Sequence, residues 1–213
     1  IMILNMISYH CYSLQFYIFL SFFMPWFFSK SGMFYKRQSF KDCVQKSAKK
    51  LLYPFFTFTI LGYLVYVLIF LSEGNHELSD YFIIPLKELV LDGSIYGNKP
   101  LWFLFSFFIV QVIFSVVENN MKYPIFIIIP AIIIVYTLFL YDNPLPRYFG
   151  NVNSGLVFYT LGYVLRKKQF SPYVSVTAII TYILFVIFGI TFVDMFPNIL
   201  RQGIYLHWFV FAI

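Results

Sequence analysis

Long apolar runs separated by short polar breaks fill the chain, and their lengths match bilayer crossings. A spanning helix needs about 20 mostly apolar residues at about 1.5 Å rise each. Residues 1–9 read as the end of one helix, and 10–13 as a tight turn. Residues 14–28 read as the next helix, and 29–50 as a basic connector. The cleanest span is 51–72. A long loop over 73–100 holds Glu73, Glu77, Asp80, Glu88 and Asp92 against only Lys87 and Lys99. Further spans are 101–117, 124–141, 149–165 and 173–190, with a turn at 118–123 and a final run from 203. The pattern predicts an all-α, polytopic transmembrane helix bundle of about six full spans with partial helices at both ends, forming one domain over 1–213.

Two local features refine this picture. The segment 81–91 (YFIIPLKELVL) is too short to span and is expected to lie in the interface or over a cavity mouth. Pro25, Pro54 and Pro130 fall in or at the ends of spans, where neighbours or water must satisfy the freed carbonyls.

Composition excludes a soluble fold. Apolar residues make up 61% of the chain and charged residues 11%, against roughly 25% charged in soluble domains. The formal charge of +6 is concentrated in Lys30, Lys36, Arg37, Lys41, Lys46, Lys49 and Lys50. A nucleic-acid site would need a solvated basic face, whereas this is a connector between apolar spans. The positive-inside rule explains it. Placing 29–50 in the cytoplasm makes 73–100 extracytoplasmic and 118–123 cytoplasmic. The turn 142–148 is then outside, and Arg166, Lys167 and Lys168 join the first basic cluster inside. The expected location is the cytoplasmic membrane, with the lipid bilayer as the first partner. Cys11 and Cys43 fall on opposite sides and make no disulfide framework.

Several segments, in order, resemble the membrane-bound acyltransferase family 3, which includes sugar and polysaccharide O-acetylases. Phe22-Phe23-Met24-Pro25-Trp26-Phe27-Phe28 followed by Ser31-Gly32-Met33-Phe34 resembles its second helix. Lys46-Ser47-Ala48-Lys49-Lys50-Leu51-Leu52-Tyr53-Pro54 is similar to its basic cluster running into a proline-bearing helix start. Gly93-Ser94-Ile95-Tyr96-Gly97, then Pro100-Leu101-Trp102-Phe103-Leu104, matches its glycine-bearing loop and fourth helix. Phe158-Tyr159-Thr160-Leu161-Gly162-Tyr163 before Arg166-Lys167-Lys168 is also similar. His10 sits where the family's first helix ends in a histidine. Phe23 stands where the second helix often carries another, and lysines replace an Arg-x-x-Arg pair. The resemblance covers nearly the whole chain and about the first two-thirds of a family member. It therefore implies a protein truncated at both ends, lacking an early acidic residue and the late helices.

The implied activity is transfer of an acyl group, most often acetyl, from cytoplasmic acyl-CoA to a hydroxyl of an extracytoplasmic glycan or sugar. His10 is the candidate catalytic base, since a neutral imidazole takes a hydroxyl proton near physiological pH. Its alternative role is a helix-end histidine reaching for headgroups. Lys46, Lys49 and Lys50 are the implied acyl-CoA-binding residues, with topogenic charge as the alternative. Trp102 is either a substrate-lining residue or an interfacial anchor. His76 reads as a loop residue, and His207 as interhelical glue or a site residue. No spacing of histidines or carboxylates suggests a metal. Two other readings stay open. One is a small transporter or glycan-translocating protein, and the other is an inactive remnant of the enzyme.

Overall fold

The computed structural model describes residues 23–74, 77–94, 101–140, 148–168 and 171–187. Among them every regular element is helical, as the apolar periodicity predicts. The chain divides into two compact units. The first holds Ile1–Lys36, Tyr123–Tyr141 and Asn153–Ile213, and the second holds Arg37–Lys122 and Asp142–Val152. Helix α1 is Phe23–Met33, and α2 is Phe40–Ser47. A π-helical turn, Ala48–Leu52, leads into α3, Tyr53–Glu73. Then follow α4, Leu78–Asp92, and α5, Trp102–Asn120. A 3₁₀ turn at Pro124–Ile127 precedes α6, Ile128–Leu140. The last described helices are α7, Tyr148–Leu165, and α8, Pro172–Ile187.

Two helices among the described residues are long and apolar enough to cross a bilayer: Phe40–Glu73, with 34 residues, and Trp102–Asn120, with 19. A 34-residue helix is about 51 Å long, well beyond the roughly 30 Å hydrocarbon core. It is therefore longer than a bilayer crossing needs, and its polar portion is its first turns. Those turns are α2, where Lys41, Asp42, Gln45 and Lys46 are exposed. The stretch expected as a connector over 29–50 is thus largely helical, and this corrects the sequence reading. The cause is local. Ser39 caps α2 by accepting from the Asp42 amide at 3.1 Å, and its hydroxyl donates to the Asp42 carboxylate at 2.8 Å.

Helix α1 also runs past the expected end at residue 28, and packing explains why. Within the first unit, Ser29, Gly32, Gly155 and Gly162 let α1 and α7 approach until backbone meets backbone. A Cβ on Gly32 would fall on the Tyr159 carbonyl, and one on Gly162 on the Ser29 carbonyl. Ser29 Oγ donates across this contact to Phe158 O at 3.2 Å. Small residues serve this purpose in lipid, where no hydrophobic force drives helices together. Gly155 faces Phe28 at one end of the contact and Arg166 reaches the Tyr35 carbonyl at the other, so α1 and α7 run parallel. Helix α7 is buried throughout 150–160, including Asn151, Asn153, Ser154 and Thr160.

In the second unit, α3 and α5 run antiparallel. Ser47 Oγ donates to Gln111 Oε1 at 2.6 Å, and Phe55 stacks on Phe105 with centroids 5.5 Å apart. At the other end of α3 lies α4, which at 15 residues is about 22 Å long and too short to span. Phe82, Ile83, Leu86 and Val90 are exposed along it. Pro85 lies inside α4 and cannot donate to the Tyr81 carbonyl. The Tyr63 hydroxyl takes that place, donating to Tyr81 O at 2.9 Å, while Tyr66 donates to Asp80 O at 3.0 Å. A side chain of α3 thus repairs the bond that proline removes. Gly93 ends α4 at φ 70°, in the left-handed region that glycine enters without a Cβ penalty.

A candidate anion site where the long helix enters the bilayer

The basic cluster sits where the long helix changes geometry. Lys46 closes α2, and Lys49 and Lys50 lie in the π-helical turn. Pro54 follows at the start of α3 and leaves the Lys50 carbonyl without its usual amide. Single π turns inside α-helices recur at functional sites because they rotate side chains off the regular face. All three lysines are exposed. Lys46 Nζ makes one long hydrogen bond, to Gln38 Oε1 at 3.4 Å. Among the described residues, none of these three lysines makes an ion pair with a carboxylate.

Beneath this surface lies a polar layer that sequence reasoning missed. Cys43 and Ser47 form the buried side of α2. The Cys43 thiol donates to Gln111 O at 3.6 Å, and Ser47 bonds the Gln111 side chain. One to two turns on, Asn119 Nδ2 donates to Gln38 O at 3.2 Å and to Ser115 O at 2.8 Å. Arg37 Nε lies 3.4 Å from Glu118 Oε2, with the Arg37 side chain 68% exposed and that of Glu118 6%. The Ser39–Asp42 capping pair was the signal that could have revealed the helix start. Nothing local marks Gln111 or Glu118 as partners of that corner.

Trp102 begins α5 and is 3% exposed, with its ring edge-on to Phe103 at 6.1 Å. Its indole is therefore packed inside protein rather than held out to headgroups. Ser47 is level with Gln111, so the lysine cluster and Trp102 are separated by about 14 Å along α5. The structure does not bring them together. Buried hydroxyls lie in this unit too. Thr57, Thr177 and Thr181, all exposed or nearly so, donate to the carbonyl four residues back. Thr59 and Ser106 are buried and make no such bond. His10, the candidate base, lies outside the described residues, as do His76 and His207. No group of three His, Cys, Asp or Glu side chains suited to a metal occurs among the described residues.

The arrangement is an amphipathic helix running into a long apolar span, with unneutralised cations at the junction. No curated protein and no solved structure matches the chain. A family model does: the one described as an acyltransferase domain, of the acyltransferase 3 type, matches residues 1–213. The basic helix entry, the glycine-mediated α1–α7 contact and the Trp102 helix start all lie within that match, and the chain belongs to this family of membrane acyltransferases.

Proposed function

We propose that the protein transfers an acyl group, acetyl in the simplest case, from cytoplasmic acyl-CoA to a hydroxyl of an extracytoplasmic glycan or sugar. Family membership supplies the reaction class. The observation that carries the finer reading is the set of Lys46, Lys49 and Lys50, exposed and without carboxylate partners at the mouth of a membrane helix. Phosphate groups of a CoA ester need such fixed cations. In the step itself, His10 takes the acceptor hydroxyl proton as the oxygen attacks the thioester carbonyl. The C–S bond breaks, and the CoA sulfur leaves with a proton. A translocating protein would instead carry ionisable side chains at mid-span, and the middles of α3 and α5 carry none.

Replacing Lys46, Lys49 and Lys50 together by Gln is expected to raise the acyl-CoA concentration needed for half-maximal transfer. Membrane insertion, measured separately, should be retained. An unchanged donor dependence would leave these lysines with only their topogenic role.

The reading requires residues 29–50, 118–123 and 166–168 on the cytoplasmic side and 73–100 outside. The packing supports this within each unit. Parallel α1 and α7 bring Arg166 to Tyr35, whose carbonyl accepts from Nη1 at 3.0 Å, so both basic segments emerge at one end. Antiparallel α3 and α5 bring Asn119 to Gln38. Cysteine introduced singly at Lys41 or Lys168, in a Cys11- and Cys43-free background, is expected to resist a membrane-impermeant thiol reagent in intact cells. Cysteine at Asn75 or Asn143 is expected to react. Labelling at 41 or 168 from outside would reverse the assigned topology.

A further inference from the structure

We propose that α4 is a re-entrant helix, held beside the long span at the depth of the lipid chains, and that its outer face is covered by lipid hydrocarbon. Residues 53–72 of α3 carry no charged side chain, and a run of about 20 such residues matches the roughly 30 Å hydrocarbon core. Within that run Tyr66 and Tyr63 hold the Asp80 and Tyr81 carbonyls at 3.0 and 2.9 Å. Tyr66 lies about 10 Å along the helix before Glu73, where the apolar run ends. At the other end of α4, a Cβ on Gly93 would meet the Phe105 ring at 3.4 Å, and that ring stacks on Phe55 near the start of α3. Both ends of α4 thus lie alongside α3 rather than beyond it.

The surface of α4 agrees with that depth. Phe82, Leu86 and Val90 recur at four-residue spacing with Ile83 beside them, so they share one exposed apolar face. At the level of the tyrosine ties α3 exposes Ile60, Leu64 and Leu68, and the α4 face continues this belt. The backbone agrees as well. In water, the Tyr81 carbonyl freed by Pro85 would be solvated without help. In hydrocarbon it needs a donor from the protein, and the Tyr63 hydroxyl supplies one. Glu88 is half-buried, and Lys87 stands at the edge of the apolar face, where its flexible stem carries the ammonium towards water. A re-entrant helix returns to the side it entered from, so the extracytoplasmic assignment of 73–100 is kept.

The test does not depend on the acyl-CoA reading. Phe82→Cys, Leu86→Cys and Val90→Cys are made singly in a Cys11- and Cys43-free background. Leu64→Cys is the lipid reference and Asn75→Cys the aqueous one. One readout is quenching of an attached bimane by phosphatidylcholine brominated along its chains. The other is reaction with a charged maleimide in unsealed membranes, which is blind to which side faces out. At 82, 86 and 90 the quenching is expected to match that at 64, and reaction with the maleimide to be lost. Reaction as fast as at 75 would place α4 in water and overturn the proposal. Loss of both quenching and reaction would overturn it too, because protein, such as a second copy of this chain, would then cover the face. Tyr63→Phe probes the backbone. It is expected to speed hydrogen exchange over 81–86 by about ten- to a hundredfold, as a buried carbonyl left unpaired requires. Unchanged exchange would mean that water already reaches the Tyr81 carbonyl, which the proposal does not survive.

Discussion

His10→Ala is expected to lower acyl transfer by about 10²–10⁴, the usual contribution of a positioned general base. The acceptor hydroxyl is a weak nucleophile until its proton is drawn away, and lysine or arginine, charged at neutral pH, cannot do that unperturbed. Expression and membrane insertion should hardly change. His10→Gln distinguishes the two roles of this position. An interfacial anchor survives as Gln, whereas a base does not. The measurement is glycan acylation by mass spectrometry, normalised to membrane-inserted protein. Near wild-type acylation in His10→Ala would remove the proposed base and leave the hydroxyl to be activated by another group.

The second large effect is expected at Gly162. A Cβ there would fall on the Ser29 carbonyl oxygen, which belongs to a helical backbone and cannot rotate away. Relief requires α1 and α7 to separate, which also breaks the Ser29–Phe158 hydrogen bond. Gly162→Ala is therefore expected to cost at least about 1–3 kcal/mol, the range for overpacking. Gly155→Ala is the graded comparison. Its Cβ would meet the ring edge of Phe28 at 2.6 Å, and a ring can tilt where a backbone cannot. Val164→Ala, at an exposed position one turn from the basic end, serves as the neutral control. Denaturant titration in micelles should rank Gly162→Ala below Gly155→Ala, with Val164→Ala near wild type. Equal stability of Gly162→Ala and Val164→Ala would mean that the two helices do not approach so closely.

Glycines 32, 155 and 162 illustrate what chain-local reading misses. In sequence they break apolar runs and lower helix propensity. In the structure they are what allows α1 and α7 to touch. Tyr63 is similar: along α3 it reads as one more aromatic, yet its hydroxyl completes α4 where Pro85 has no N–H to give. The reading of 29–50 as a connector failed for a related reason. Its charges dominated the pattern, and the Ser39–Asp42 cap with Cys43 and Ser47 one turn apart was outweighed, though it marks a helix with one buried face.

The sequence by itself determined that this is an α-helical membrane protein, where its basic segments lie, and which acyltransferase family it belongs to. Those properties follow from quantities that add along the chain: apolar run length, charge and ordered motifs. Only the tertiary structure decided which polar groups meet. Arg37 and Glu118, Ser47 and Gln111, and Tyr63 and Tyr81 are pairs that no local pattern announces. In lipid, one apolar helix face is nearly as well solvated as another, so hydrophobicity does not select a neighbour. Close backbone approach and buried hydrogen bonds make that selection, and both exist only once distant segments are brought together.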